Sequence, residues 1–270
     1  MKKAWLVYER EGAERNQEYI RLHNEHGKTL GIEFLTVICD EEPLPDEKGD
    51  FAIVRAMRPD ITKTIEARNI PAFNNSHVSS ICNNKAKTYE YLTENDIPII
   101  PFIFGKCSDV PPVIPSYPVV IKPCCGHGGK NVMIIKNDDE YTAARDAIAP
   151  DDYVIQPLAT ELGRDLRVYI LGGKPVGAVL RTSDSDFRSN FSLGGKVFAK
   201  ELSVDEKKLV DRVCALFDFD LCGIDIMYHE GRAVINEIED VVGSRMLYRT
   251  HDIDIVKLYL EYILNKLRNE

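Results

Sequence analysis

Along residues 1–75, apolar and polar positions follow a strand–helix rhythm. Short apolar runs rich in β-formers stand at Ala4–Tyr8, Ile32–Cys39, Phe51–Ala56 and Ile70–Phe73, with polar, helix-compatible stretches at Asn16–His26 and Asp60–Asn69. Strands alternating with helices indicate a parallel sheet, because a parallel pair needs a crossover long enough to hold a helix. The expectation is a small Rossmann-like α/β unit over residues 1–80. After its first strand the chain reads Glu9-Arg10-Glu11-Gly12, not G-x-G-x-x-G, so the phosphate-cradling turn of a dinucleotide domain is missing.

Asn75-Ser76 caps a helical stretch, His77–Asn95, which Asp96-Ile97-Pro98 ends. Pro98, Pro101, Pro111, Pro112, Pro115 and Pro118 then mark a composition shift that reads as a domain edge. Beyond it, Tyr117–Lys122 reads as a strand, Pro123–Lys130 as a glycine-containing loop and Val132–Lys136 as its hairpin partner. Asp138–Ala149 reads as a helix and Tyr153–Leu158 as a strand. Gly172-Gly173 turns Asp165–Leu171 into Pro175–Arg181, and His229-Glu230-Gly231 turns Gly223–Tyr228 into Arg232–Ile238. With helices over Val204–Phe217 and Asp252–Leu267, the last part is α+β. The expected units are 1–80, 81–155 and 156–270.

The 34 Lys+Arg against 43 Asp+Glu leave a net charge of -9, which argues against nucleic acid or an anionic membrane as partner. No apolar run approaches the roughly 18–20 residues of a membrane span, and the apolar stretch after Met1-Lys2-Lys3 is too short for an export signal. Seven cysteines cannot all pair, and their spacing fits no zinc template. Free thiols in the cytoplasm are expected.

Three segments carry candidate chemistry. In Val119-Val120-Ile121-Lys122-Pro123-Cys124-Cys125-Gly126-His127-Gly128-Gly129-Lys130 a strand ends in a lysine and enters a glycine-rich loop. Glycines let backbone N–H groups approach phosphate oxygens, and the lysine adds a point charge. A hairpin turn with a surface lysine would read the same way. In the last hairpin, a turn at His229–Gly231 places Asp225 near Glu237, while the i, i+2 spacing puts Glu237 and Glu239 on one face. Like charges opposite each other destabilise a sheet unless a cation sits between them, and Mg²⁺ fits oxygen donors; a solvated acidic face is the alternative reading. The third segment, Arg181 to Gly195, is polar and irregular and contains Arg188, Ser189 and Asn190. By itself it reads as a surface loop; beside a phosphate site its arginines become anion ligands.

The succession of these pieces resembles the ATP-grasp superfamily, and most of all its RimK-like carboxylate–amine ligases. Asp186-Phe187-Arg188-Ser189-Asn190 with Gly194-Gly195 matches that branch's DFRSN…GG stretch, and Gly223-Ile224-Asp225-Ile226 matches its G-[VI]-D-[IL]. The resemblance covers about Ile81 to Leu267. It implies a fold that is α/β and α+β, an ATP-grasp fold behind an N-terminal Rossmann-like pre-ATP-grasp domain. It also implies ATP and Mg²⁺ as cofactors, with Mn²⁺ as an alternative ion, and a small-molecule or peptide substrate. Self-association into a homo-oligomer stays open.

Carried over by position, the resemblance assigns Lys85 and Lys122 to the nucleotide phosphates and Gly126, Gly128 and Gly129 to a flap over the triphosphate. Gln156, Pro157 and Leu158 resemble the hinge that recognises adenine, and Asp165 the acid near the ribose. Arg188, Ser189 and Asn190 match the phosphate-side loop, and Asp225, Glu237 and Glu239 the metal ligands. Lys122 and Arg188 would neutralise the transferring phosphoryl group, and Arg245 would hold a substrate carboxylate. The chain departs from the pattern where Pro157 replaces a hinge glutamate. It departs again where Glu237-Ile238-Glu239-Asp240-Val241-Val242-Gly243 replaces E-x-N-x-x-P-G. The implied reaction makes an acyl phosphate from a carboxylate and ATP, then an amide from an amine, with an amino acid such as glutamate among the expected additions. A kinase on the same fold, or a binding module without catalysis, is the alternative.

Overall fold

The computed structural model describes residues 1–126, 128–183 and 195–269. Its first sheet is wholly parallel: β1 (Lys2–Tyr8), β2 (Ile32–Ile38), β3 (Phe51–Val54) and β4 (Ala72–Phe73) lie in the order β2-β1-β3-β4. Helices α1 (Arg10–Arg15) and α2 (Gln17–Leu30) connect β1 to β2, and α3 (Pro59–Ala67) connects β3 to β4. Leu6, Phe51 and Ile53 pack on one face and Trp5, Val7, Ala52 and Val54 on the other. Burial of both faces is why these strands read as unbroken apolar runs.

The helix expected over His77–Asn95 is two helices, α4 (Ser76–Cys82) and α5 (Lys85–Glu94). Two asparagines divide them. Asn84 caps α5 by accepting from the Lys87 amide at 3.1 Å, and Asn83 Nδ2 donates to Asp240 Oδ2 at 3.1 Å. The break makes Lys85 the first residue of α5, with its amide donating to the Cys124 carbonyl at 2.8 Å.

The second sheet is antiparallel, with β5 (Ile103–Gly105), β6 (Val119–Pro123), β7 (Met133–Ile135) and β8 (Tyr153–Pro157) in the order β5-β8-β6-β7. Helix α6 (Asp138–Ile148) covers it through Tyr141, Ala144 and Ile148. A division after residue 155 would cut β8, because Gln156 and Pro157 still pair with Val120 and Val119.

The third sheet holds β9 (Arg164–Leu171), β10 (Lys174–Thr182), β11 (Lys196–Ala199), β12 (Leu221–His229) and β13 (Arg232–Glu239) in the order β11-β10-β9-β12-β13. Even-numbered Leu166, Val168, Ile224 and Ile226 face α7 (Val204–Cys214). On the opposite face, Tyr169, Val179 and Leu221 share one core with α8 (Arg245–Thr250), α9 (Ile255–Asn269) and the first sheet. That same face carries Asp165, Arg167, Arg181 and Asp225 further along.

Hydrogen bonds tie the sheets together. Asn74 Nδ2 donates to the Leu221 carbonyl at 2.8 Å and to Asp240 Oδ1 at 2.7 Å. The Ile235 amide donates to the Pro98 carbonyl at 2.9 Å, and Tyr89 Oη to the Asn236 carbonyl at 2.9 Å. No helix among the described residues is long and apolar enough to cross a membrane, and all seven cysteines are free thiols.

Candidate active site

Between the second and third sheets lies a cleft of about 950 Å³ counted out to bulk solvent. Its floor is a charged row that crosses four strands. The register sets Arg181 of β10 opposite Asp165 of β9, Arg167 of β9 opposite Asp225 of β12, and Asp225 opposite Glu237 of β13. Asp225 and Glu237 are neighbours, as expected, although counting from the turn alone would set Asp225 against Asn236. A bulge after Asp225 leaves Asn236 as the extra residue on β13.

Ligand oxygens of Asp225, Glu237 and Glu239 all fall within 4.8 Å of one another. Three cations stand beside them, of which the sequence reading had placed Lys85 at the site but not Arg167 or Arg181. Arg167 grips Asp225 with two bonds, Nε to Oδ1 at 2.8 Å and Nη2 to Oδ2 at 2.7 Å, and also donates to Glu239. Arg181 holds Asp165 and reaches Asp225 Oδ2 at 2.7 Å. Lys85 Nζ lies 3.0 Å from Glu237 Oε1 and donates to the Gly126 carbonyl at 3.1 Å. Burial alone would favour a neutral Asp225, yet the two guanidinium groups hold its carboxyl well below the usual range. Burial pushes Glu239 up, against the pull of Arg167. The signal for Arg167 was its place two residues after Asp165 inside an apolar strand, where a charge must face a partner.

Lys122, on β6, projects into the cleft from the opposite wall. Its ammonium donates to Gln156 Oε1 at 2.9 Å and to Asn236 Oδ1 at 3.0 Å, with Tyr89 Oη at 3.4 Å. Gln156 is fixed in turn by donating from Nε2 to the Ile100 carbonyl at 2.8 Å. None of these partners is charged. Burial and the neighbouring Lys85 lower the Lys122 ammonium to about 8.

The glycine loop forms the roof. Gly126, Gly128 and Gly129 line the cleft with φ of 118, 70 and 74°, values that L side chains rarely adopt. A Cβ at Gly126 or Gly128 would meet nothing within 4 Å, so backbone conformation rather than space calls for glycine.

The structure thus gathers Lys85, Lys122, the three glycines, Gln156, Pro157, Asp165, Asp225, Glu237 and Glu239 around one cleft. Leu158 does not line it, although Pro157 and Ala159 on either side of it do. Asp165 lines the floor engaged with Arg181. Arg245 does not line the cleft either: Ser244, Met246 and Leu247 anchor the start of α8 inward, and Arg245 is exposed. Arg188, Ser189 and Asn190 lie outside the described residues. Sequence reasoning missed Tyr89 and the side-chain role of Gln156, since neither belongs to a motif.

Comparisons with known proteins agree with this geometry. Residues 82–263 match the RimK-like ATP-grasp domain. An uncharacterised protein of Mycoplasma genitalium is 27% identical over 99% of this chain and 94% of its own length. Human N-acetylaspartylglutamate synthase A is 28% identical over 87% of this chain, which spans 61% of that enzyme. The glutamate–LysW ligase ArgX of Sulfolobus acidocaldarius is 26% identical over 87% of this chain and 90% of its own. In fold, the ATP complex of Bacillus anthracis D-alanine–D-alanine ligase superposes with a TM-score of 0.77 at 16% identity, covering 100% of this chain and 98% of the ligase. Three sheets around a two-walled cleft, and a family match over most of the sequence, have one meaning: the chain has the ATP-grasp fold and belongs to the RimK-like ATP-grasp family.

Proposed function

We propose that this protein, an ATP-dependent carboxylate–amine ligase by family, joins a substrate carboxylate to the amine of glutamate or a similar amino acid. Glutamate appears in the names of the human and Sulfolobus relatives. The observation that carries the reading is the three-carboxylate cluster facing Lys85 and Lys122 beneath a glycine loop.

The cluster fits Mg²⁺, or Mn²⁺ as the alternative, because its donors are all oxygens. Asp225 is occupied by arginines, whereas Oε2 of Glu237 and of Glu239 has no hydrogen bond among the described residues. Those two carboxylates would hold the ion, with Arg167 keeping Asp225 and Glu239 ionised and in place. Bound there, the ion would supply positive charge against the phosphates.

Lys122 and Lys85 bind the phosphates from the two walls, and the backbone of Gly126–Gly129 closes over them. Gln156 and Pro157 offer backbone groups to adenine. Arg188, Ser189 and Asn190 are assigned to the phosphate side on sequence resemblance. A carboxylate oxygen attacks the γ-phosphorus while the bond to ADP breaks. The amine then attacks the acyl carbon, phosphate departs with that carboxylate oxygen, and the amine loses a proton. The protein contributes alignment and charge neutralisation. The reaction needs no covalent protein nucleophile. The cytoplasm is the proposed compartment, in keeping with seven free thiols.

The test is ADP release across a panel of carboxylates and amines, with mass spectrometry of the product. Ligation requires both substrates and gives an amide mass. A stable phosphorylated product formed without an amine would make the protein a kinase.

A further inference from the structure

Arg55 is a largely buried cation with no carboxylate partner among the described residues. It follows β3 directly, its amide donating to the Val7 carbonyl at 2.7 Å, and so lies where β3 and β1 end side by side. In the order β2-β1-β3-β4 the chain leaves β1 for one neighbour and reaches the other later, so this is the sheet's topological switch point. Open α/β sheets bind ligands in that crevice, at the carboxyl ends of the strands.

The side chain is only partly accounted for. Nη2 donates to the Val242 carbonyl at 2.8 Å, and the guanidinium lies over the Tyr19 ring at 4.9 Å. Arg55 Nε, Tyr8 Oη and Tyr19 Oη are buried, and none makes a well-aligned hydrogen bond among the described residues, with Tyr8 Oη lying close to the Arg55 guanidinium and Tyr19 Oη close to Ser244. Arg58, the other nearby arginine, is engaged with Asp60 through two bonds. Buried donors of this kind cost stability unless something accepts from them. An arginine fork flanked by two phenol hydroxyls is a set of donors suited to one planar anion.

Its position ties it to the cleft. Val242 lies three residues past Glu239, and its side chain stands over Gly223, the residue opposite Glu239, next to Arg167. Arg55 therefore grips the loop that leaves the carboxylate cluster.

We propose that Arg55, with Tyr8 and Tyr19, binds the carboxylate of the amino acid whose amine is ligated. The inference rests on the ligase reading above and gives Arg55 the part that the sequence had suggested for Arg245. A carboxylate held at the switch point directs the amine of the same molecule toward the acyl phosphate formed over Glu237 and Glu239. The two lysines and the glycine loop serve the triphosphate, which leaves the Arg55 fork for a smaller, singly charged group.

The test uses the full-length protein with Mg-ATP, an accepted carboxylate donor, and L-glutamate as the amine. Arg55→Gln should raise the KM for L-glutamate about ten- to hundredfold, with kcat and Mg-ATP affinity little changed. Arg55→Lys, which keeps charge but loses the fork, should recover only part of that loss. Should Arg55→Gln fold poorly, Tyr8→Phe removes a hydroxyl at constant shape and should still raise that KM. An unchanged KM in either variant overturns the proposal, as does equal loss of Mg-ATP affinity. Wild-type protein that uses ethanolamine, an amine without a carboxylate, as readily as L-glutamate overturns the proposal and leaves the ligase reading intact. Arg55-dependent binding of L-glutamate by calorimetry, without turnover of any amine, would do the reverse.

Discussion

With Lys122 against the triphosphate, as proposed above, ATP binding should be sensitive to pH in a window where few side chains titrate. In the free protein its ammonium is lowered to about 8 from the ordinary 10.5, because burial and Lys85 both oppose the charge. A triphosphate laid against Lys122 supplies the missing counter-charge and returns the group toward its ordinary value. The bound state then holds more protons than the free state above pH 8, so affinity falls as pH rises. The fall is about tenfold per pH unit, or about 1.4 kcal/mol, until the bound-state value is reached. Near pH 7 about nine-tenths of free Lys122 is charged and near pH 9 about one-tenth, so affinity should drop about tenfold between them. Titration calorimetry in buffers of different ionisation enthalpy would also show uptake of close to one proton per ATP at the higher pH. Lys122→Arg should bind with a flat profile, because arginine stays charged throughout. Wild-type affinity that does not change over this range, or a slope that persists in Lys122→Arg, would refute the reasoning.

Arg167→Leu removes the cation that holds both Asp225 and Glu239, and stripping one member from a buried pair costs roughly 3–5 kcal/mol. Thermal melting should therefore fall by roughly 6–20 °C, and an unchanged Tm would return the arginine to a minor role. Withdrawing Mg²⁺ with EDTA should weaken ATP binding at least about tenfold, since the phosphates would then face Glu237 and Glu239 unscreened. Equal affinity with and without the ion would remove the metal assignment. Gly128→Ala forces a side chain onto φ of 70° in open space, so it should strain the loop by about 1–2 kcal/mol, lower kcat and lower Tm by no more than roughly 2–8 °C. A wild-type kcat would show that the loop does not need that conformation.

Much of the fold was legible because its signals are local. The apolar runs of the first sheet and the two glycine-marked hairpins of the third appear within a residue or two of where they were read. Counting outward from the turn would set Asp225 against Asn236, and only the bulge after Asp225, which the pattern did not show, brings Glu237 opposite it. What was not legible depends on tertiary partners. The split between α4 and α5 turns on Asn83 finding Asp240, 157 residues away. The charge balance of the floor turns on Arg167 and Arg181, whose pairing across β9, β10 and β12 no single segment reveals. Short β5 and β11 lacked a period long enough to read. Arg245 was favoured as a nearby cation, but exposure at the start of α8 directs it away from the cleft.

The central claim, ligation through an acyl phosphate in this cleft, is tested most directly by isotope transfer. A carboxylate substrate labelled with ¹⁸O in its carboxyl group is incubated with Mg-ATP and the amine, and the released phosphate is examined by mass spectrometry. The predicted result is one ¹⁸O atom in phosphate for each amide formed, with ADP as the nucleotide product. Unlabelled phosphate, or AMP and pyrophosphate in place of ADP, would contradict it.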